Sequence, residues 1–315
     1  MAPAAVIGGW WCAGIPSKSK GHLVSSFPLP PPDLVNRPTD TTGQAVLDVA
    51  IALGMVVLVA AAVHLGRRYR TWVPMAIVLG STASALIEPL PDLVAGLWYY
   101  VPGQQTIYTA YGNSLPTWTF FSYPVYYAGF GLIFWRVVES GADRRRLLLL
   151  CVPMAVYLAC TELFLINSVH LYTYYGPGAF RVGHFPLFIC LLNTTIVLTI
   201  GTVGARLRRS LPERDRVLLA FFLPGVSMVI GLLFLPAVLF TVVHTADPSQ
   251  GLIRLATALT MVATVAMMYV ATCFVPAGGF SPLTMPQMTP SSASRAMSVD
   301  DMPSRSPSTH SLSSP

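Results

Sequence analysis

The chain reads as an all-α, polytopic integral membrane protein of about seven transmembrane helices in one bundle. Three observations predict this. Of the 315 residues, 54% are hydrophobic and only 10% are charged. The apolar residues are gathered into runs of roughly twenty, the length that crosses about 30 Å of hydrocarbon at 1.5 Å per residue. The arginines fall in short stretches between those runs, as membrane orientation requires.

Residues 1–43 contain Pro28, Pro30, Pro31, Pro32 and Pro38 and read as an extended, non-cytoplasmic segment. Residues 1–16 lack the basic start and continuous apolar stretch of a signal peptide, so no cleaved leader is expected. The membrane domain covers 44–278, with spans at about 45–66, 72–88, 117–138, 147–169, 184–206, 216–243 and 252–275. From 279 to 315 the chain is rich in Ser, Pro and Met, with almost no large apolar residues. Such a tail cannot bury enough surface to offset its ordering entropy and is expected to be disordered.

Orientation follows from the arginines. Arg67, Arg68 and Arg70 follow span 1. Arg136 and Arg144 to Arg146 follow span 3, and Arg206, Arg208, Arg209, Arg214 and Arg216 follow span 5. The other side has Arg181 and Arg254, besides Lys18, Lys20 and Arg37 in the N-terminal segment. The expected arrangement is an outer N-terminus and a cytoplasmic tail. No internal repeat is visible, which disfavours a transporter built from inverted repeats.

Several chemistries find no support. The net charge of +6 does not imply a nucleic-acid partner, because its arginines serve topology. Cys12, Cys151, Cys160, Cys190 and Cys273 form no CxxC pair, so neither a disulfide framework nor a zinc site is indicated. There is no HExxH, GxSxG, Walker loop or GxGxxG. A retinal Schiff base needs an intramembrane lysine, yet the lysines are Lys18 and Lys20. His64, His170, His184 and His244 lack ligand spacing, so no metal is expected, and no cofactor.

Three acidic residues past position 70 lie in or beside the apolar runs: Glu88, Asp92 and Glu162. A carboxylate there costs several kcal/mol unless a partner or a wet cavity compensates it, so each is a functional candidate. Glu88 and Asp92 flank Pro89 and Pro91, which makes helix continuation between them doubtful. Each also fits a solvated helix end. Glu162 lies deep in span 4, placed either to hydrogen-bond a neighbouring helix or to act as a general acid. Asn167, His170 and Asn193 occupy outer-half positions, where interhelical bonding is the commoner use. Asp48 and His64 mark the two ends of span 1. Glu88, Glu162 and Asn193 all fall in the same half of the bilayer, which predicts one polar pocket among spans 2, 4 and 5. Loops 89–116 and 170–184 carry Trp98, Tyr99, Tyr100, Tyr108, Tyr111, Tyr172, Tyr174, Tyr175 and Phe180. They read either as an interfacial aromatic belt or as walls covering a greasy substrate.

Glu162 precedes Tyr172-Thr173-Tyr174-Tyr175-Gly176, then Phe185-Pro186-Leu187 and Asn193. Upstream stand Glu88-Pro89-Leu90, Val101-Pro102-Gly103, Tyr111-Gly112, Pro116 and Tyr123-Pro124-Val125-Tyr126. Over roughly 75–200 this order resembles the AveC-type spirocyclase family of actinobacterial membrane proteins. It departs at Glu88-Pro89-Leu90, where the family enzyme has Asp-Pro-Leu, and at Phe188-Ile189, where that enzyme has Asn-Glu. The resemblance implies a membrane-embedded, cofactor-independent cyclase of a lipophilic natural-product intermediate that forms a spiroketal. It implies Glu162 as acid and Glu88 as partner, with Asp92 in reserve. Tyr172, Tyr174, Asn193, His170, Tyr111 and Trp118 would contact substrate. Two rivals stay open: an integral-membrane terpene cyclase, and a non-enzymatic transporter or receptor for a lipophilic small molecule.

Overall fold

The computed structural model describes residues 30–176, 178–245 and 248–281. Most of the expected extended start and most of the expected disordered tail lie outside these residues. A one-turn helix, α1 (Pro32–Val35), precedes α2 (Thr41–Tyr69). The Asp40 carboxylate starts α2 by accepting from the Thr42 and Gly43 amides, each at 3.0 Å. Arg67 and Arg68 occupy its last turn, where cations suit the helix dipole.

Prolines set most of the remaining boundaries. α3 (Val73–Ser84) carries Pro74 in its first turn, runs into a 3-10 turn at Ala85–Ile87 and bends by 53° into α4 (Pro89–Ala95). Pro89 and Pro91 sit in the first turn of α4, where a missing N–H breaks no bond. The helix therefore breaks at Glu88 and restarts at once, and the Asp92 amide donates to the Glu88 carbonyl at 3.1 Å. The two acids end up one turn apart. Pro124 acts similarly between α5 (Thr117–Tyr123) and α6 (Gly129–Glu139): it cannot donate, and the ladder widens into a π-turn over Pro124–Ala128.

After α7 (Arg144–Asn167) come α8 (Phe188–Ser210) and α9 (Glu213–Met228). α9 continues as a π-turn to Phe234, followed past Pro236 by α10 (Ala237–Val243) and then by α11 (Gln250–Thr272). Asp143 caps α7 and Ser249 caps α11 through the Arg146 and Leu252 amides.

Among the described residues, five helical stretches are long and apolar enough to cross a membrane: Thr41–Tyr69, Arg144–Asn167, Phe188–Ser210, Glu213–Phe234 and Gln250–Thr272. The bent pair Val73–Ile87 and Pro89–Ala95 makes a sixth if it is one crossing. The expected third span, 117–138, is divided by its π-turn into α5 and α6, and neither is long enough by itself.

The core sits on α8, which packs against α6, α7, α9 and α11 and is buried along most of its length. Small residues allow close approach. A Cβ at Gly201 of α8 would strike Phe134 of α6, and one at Gly80 of α3 would strike the Phe221 backbone of α9. By contrast α2 is peripheral and exposes Val46, Val49, Leu53 and Val56. Apolar faces this extensive suit lipid rather than water.

The fold is not purely helical. Three antiparallel ribbons form, two within stretches read as loops and the third running into the expected start of span 5, so that helix begins at Phe188 rather than 184. They pair β1 (Leu97–Tyr99) with β4 (Tyr172–Tyr174), β2 (Thr106–Ala110) with β3 (Asn113–Pro116), and β5 (Arg181–Val182) with β6 (Phe185–Pro186). Strand pairing satisfies backbone groups that would otherwise be buried without partners. The β2–β3 turn, Tyr111-Gly112, has φ of 54° and 78°, the double positive φ of a type I′ hairpin.

The opposite end of the bundle holds an acid that the sequence reading passed over. Glu139 is fully buried and is paired by Arg208 at 2.9 Å and Arg209 at 2.7 Å. It lies one residue beyond the expected end of span 3. Around it, Tyr69 meets Trp135 edge-on at 4.9 Å, and the Arg208 guanidinium lies 5.1 Å from the Tyr69 ring.

Candidate functional site

The β1–β4 ribbon assembles the site. Its register pairs Leu97 with Tyr174, Trp98 with Thr173 and Tyr99 with Tyr172. Backbone bonds flank it at Tyr100 N–H to Leu171 O and Tyr175 N–H to Gly96 O. The Tyr99/Tyr172 pair therefore occupies a non-hydrogen-bonded position, where opposed side chains come closest. Alternation puts Leu97, Tyr99, Tyr172 and Tyr174 on one face. That face roofs a chamber of about 280 Å³.

Each phenol of the cross-strand pair holds one carboxyl. The Tyr172 hydroxyl donates to Glu162 Oε2 at 2.5 Å, and the Tyr99 hydroxyl donates to Glu88 Oε1 at 3.2 Å. The two rings lie 5.7 Å apart. Trp118 stacks on Tyr172 at 5.9 Å and meets Tyr99 edge-on at 5.8 Å, completing an aromatic wall. Tyr99, Tyr172 and Tyr174 lie outside the helices. Burial, reinforced by the nearby carboxyls, pushes all three phenols well above the ordinary tyrosine value, so they persist as donors.

Glu88, Asp92 and Glu162 all line this chamber, with Asn193 on the α8 side. Asp92 is buried, accepts from the Asn113 amide at 3.3 Å and lies within hydrogen-bonding reach of Glu88. Asn113 belongs to the β2–β3 hairpin, which is anchored to the bent helix by Tyr108 donating to Leu86 O at 2.7 Å. Asn193 accepts from the Tyr127 hydroxyl at 2.8 Å. Among the described residues, no arginine or lysine lines the chamber, and no three His, Cys, Asp or Glu side chains cluster to hold a metal.

Of the residues singled out by sequence, Glu162, Glu88, Asp92, Tyr172, Tyr174, Asn193 and Trp118 meet at this chamber. Tyr111 and His170 do not. Tyr111 projects from the tip of its hairpin and is exposed, because the type I′ turn directs it away from the bundle. His170 is exposed and absent from the lining, 3.4 Å from an Arg37 nitrogen. Asn167 and His64 are exposed, and Asp48 is partly buried on α2 away from the lining.

Tyr99, Thr119, Tyr126 and Tyr127 also line the chamber; Tyr99 was read only among the loop aromatics and Tyr126 only within a motif, and none was expected as a site residue. The Tyr126 hydroxyl is buried and has no hydrogen-bond partner among the described residues. A proline amid aromatics, Tyr123-Pro124-Val125-Tyr126-Tyr127, was the available signal, since π-turns favour functional positions. No protein-family model, curated protein or solved structure matches this chain.

Proposed function

We propose that the protein is a membrane-embedded, cofactor-independent cyclase of a lipophilic intermediate, with spiroketal closure as its reaction. The segment 117–139 serves as the crossing that makes seven, with the N-terminus outside and the tail cytoplasmic. One observation carries this reading. Three carboxyls, two of them one turn apart on the bent helix and the third on α7, meet in one aromatic-walled chamber with hydroxyl and amide partners and no cation among the described residues. An acid that no guanidinium neutralises can move protons.

The reaction fits that inventory. A substrate hydroxyl adds to a ketone carbon, giving its proton to a carboxylate while a carboxylic acid protonates the carbonyl oxygen, so a hemiketal forms with no net change in protons. Glu162 protonates the resulting hydroxyl, the C–O bond breaks and water leaves an oxocarbenium ion. The ring faces of Tyr172, Tyr174 and Trp118 stabilise that cation. A second hydroxyl then attacks and gives its proton to the Glu88–Asp92 pair. Water is the by-product, with no net oxidation, so no cofactor is needed. Two carboxyl sites in unlike surroundings can divide the acid and base roles. The resemblance to the AveC-type family adds support at the motifs around Glu88, Glu162 and Tyr172.

The aromatic wall equally suits a terpene cyclase, in which Glu162 would protonate an alkene or epoxide. Comparing metabolites of a deletion strain with its parent separates the readings. An accumulated open-chain dihydroxyketone supports spirocyclisation, and an accumulated prenyl chain supports the alternative. Unchanged turnover by Glu162→Gln would overturn both, and ligand binding with no turnover would favour a carrier or receptor.

A further inference from the structure

We infer that the chamber is loaded sideways, through a window between α2 and α7, by a lipophile dissolved in the bilayer. This rests on the reading above that the helices cross a membrane, and it identifies the substrate as a bilayer-partitioned molecule.

The exposure of the chamber wall is one-sided. Its roof is closed: Tyr99, Tyr172, Tyr174 and Trp118 are all buried, Tyr172 to within 3% of full burial. The back wall on α8, Leu192 and Asn193, is buried too. The remaining side is open. There Leu47 of α2 and Thr161 and Leu165 of α7 line the chamber, all partly exposed, and Tyr157 remains 52% exposed while lining it. The packing agrees, because α2 rests on α3, α5 and the π-turn and not substantially on α7. Glu162 is itself only partly buried, and it lies on this side.

The gap has a frame. At its outer edge Gly43 lies tight against Val169, beside the Arg37–His170 contact. At its inner edge Phe130 packs on Tyr157, with ring centroids 5.3 Å apart. Between these edges Leu47, Ile51 and Leu165 give the gap an apolar lining beside Thr161 and Glu162. The unpartnered Tyr126 hydroxyl borders the same space and supplies a donor for an oxygen on an otherwise apolar ligand.

The test needs no knowledge of the substrate. The full chain in vesicles is irradiated with a bilayer-dissolved trifluoromethyl-aryl diazirine, and the labelled residues are identified by mass spectrometry. Labels are expected on Trp118 and Tyr126 as well as on the outward Leu255 and Val262 of α11. Leu47→Trp, which narrows the window, should lower chamber labelling severalfold, whereas Tyr157→Ala should raise it, both without change on α11. Labelled α11 with an unlabelled chamber, or a chamber indifferent to both substitutions, overturns the window and leaves the membrane reading intact. If α11 is also unlabelled, the membrane reading fails and takes the window with it. Cyclase activity is read separately, so its loss in Glu162→Gln bears on the reaction and not on the route.

Discussion

The molecule buries carboxyls at both ends and treats them in opposite ways. At the arginine-rich end, Glu139 is held by two guanidinium groups. At the ribbon end, Glu88 and Glu162 are held by phenols, and Asp92 by an amide. An acid matched by cations has its charge fixed and serves architecture. An acid matched by neutral donors keeps its proton in play. Burial alone therefore does not mark a site in a membrane protein. The partner does.

Removing an acid at each end gives the largest contrast. Glu139→Ala should lower stability by about 3 kcal/mol, because two part-buried guanidiniums lose their counter-charge. Thermal unfolding in detergent measures this. Glu162→Gln should unfold close to the parent temperature yet lose product formation. Equal destabilisation by the two changes would erase the distinction.

The phenols come next. Tyr172→Phe removes the 2.5 Å bond to Glu162 and should slow turnover by about tenfold to a hundredfold, as expected for one hydrogen bond to a charged or reacting group. Tyr99→Phe, whose bond to Glu88 is longer at 3.2 Å, should cost less. Turnover of the two variants under saturating substrate tests that order. Asn193→Leu leaves the Tyr127 hydroxyl unsatisfied and should cost about 1–3 kcal/mol of stability, read from the same melts.

The smallest effect is spectroscopic. Burial holds Tyr99 and Tyr172 above the ordinary value of 10, so neither ionises as pH rises through 10. Replacing both with Phe should leave the phenolate absorbance developed near that pH unchanged. A loss of signal would show that these rings are wet.

The helical architecture and the chamber's acids were legible because both obey local rules. Runs of about twenty apolar residues specify long helices, and an isolated acid within one stands out. Glu162 needed no further information. What escaped depended on partners distant in sequence. Tyr99 became important only through its pairing with Tyr172, 73 positions on, and no periodicity announces a three-residue strand. Tyr111 and His170 entered the expected site through the family resemblance, which does not fix how a loop is turned. The hairpin turn sends one outward, and the other lies beside Arg37. Glu139 was missed because it stands one position past an assigned boundary, at an end where charged residues look unremarkable.

The little ribbon that roofs the chamber has an unforgiving symmetry. Its side chains face alternate ways, so a slip of β1 by one position would swing Trp98 inward and carry the Tyr99 phenol out, while Tyr172 on β4 kept its place. A residue inserted at 101–105 would lengthen a loop, while the same insertion at position 98 would strip Glu88 of its phenol donor. The hold on each acid thus hangs on the register of one three-residue strand, a stretch too short to look important.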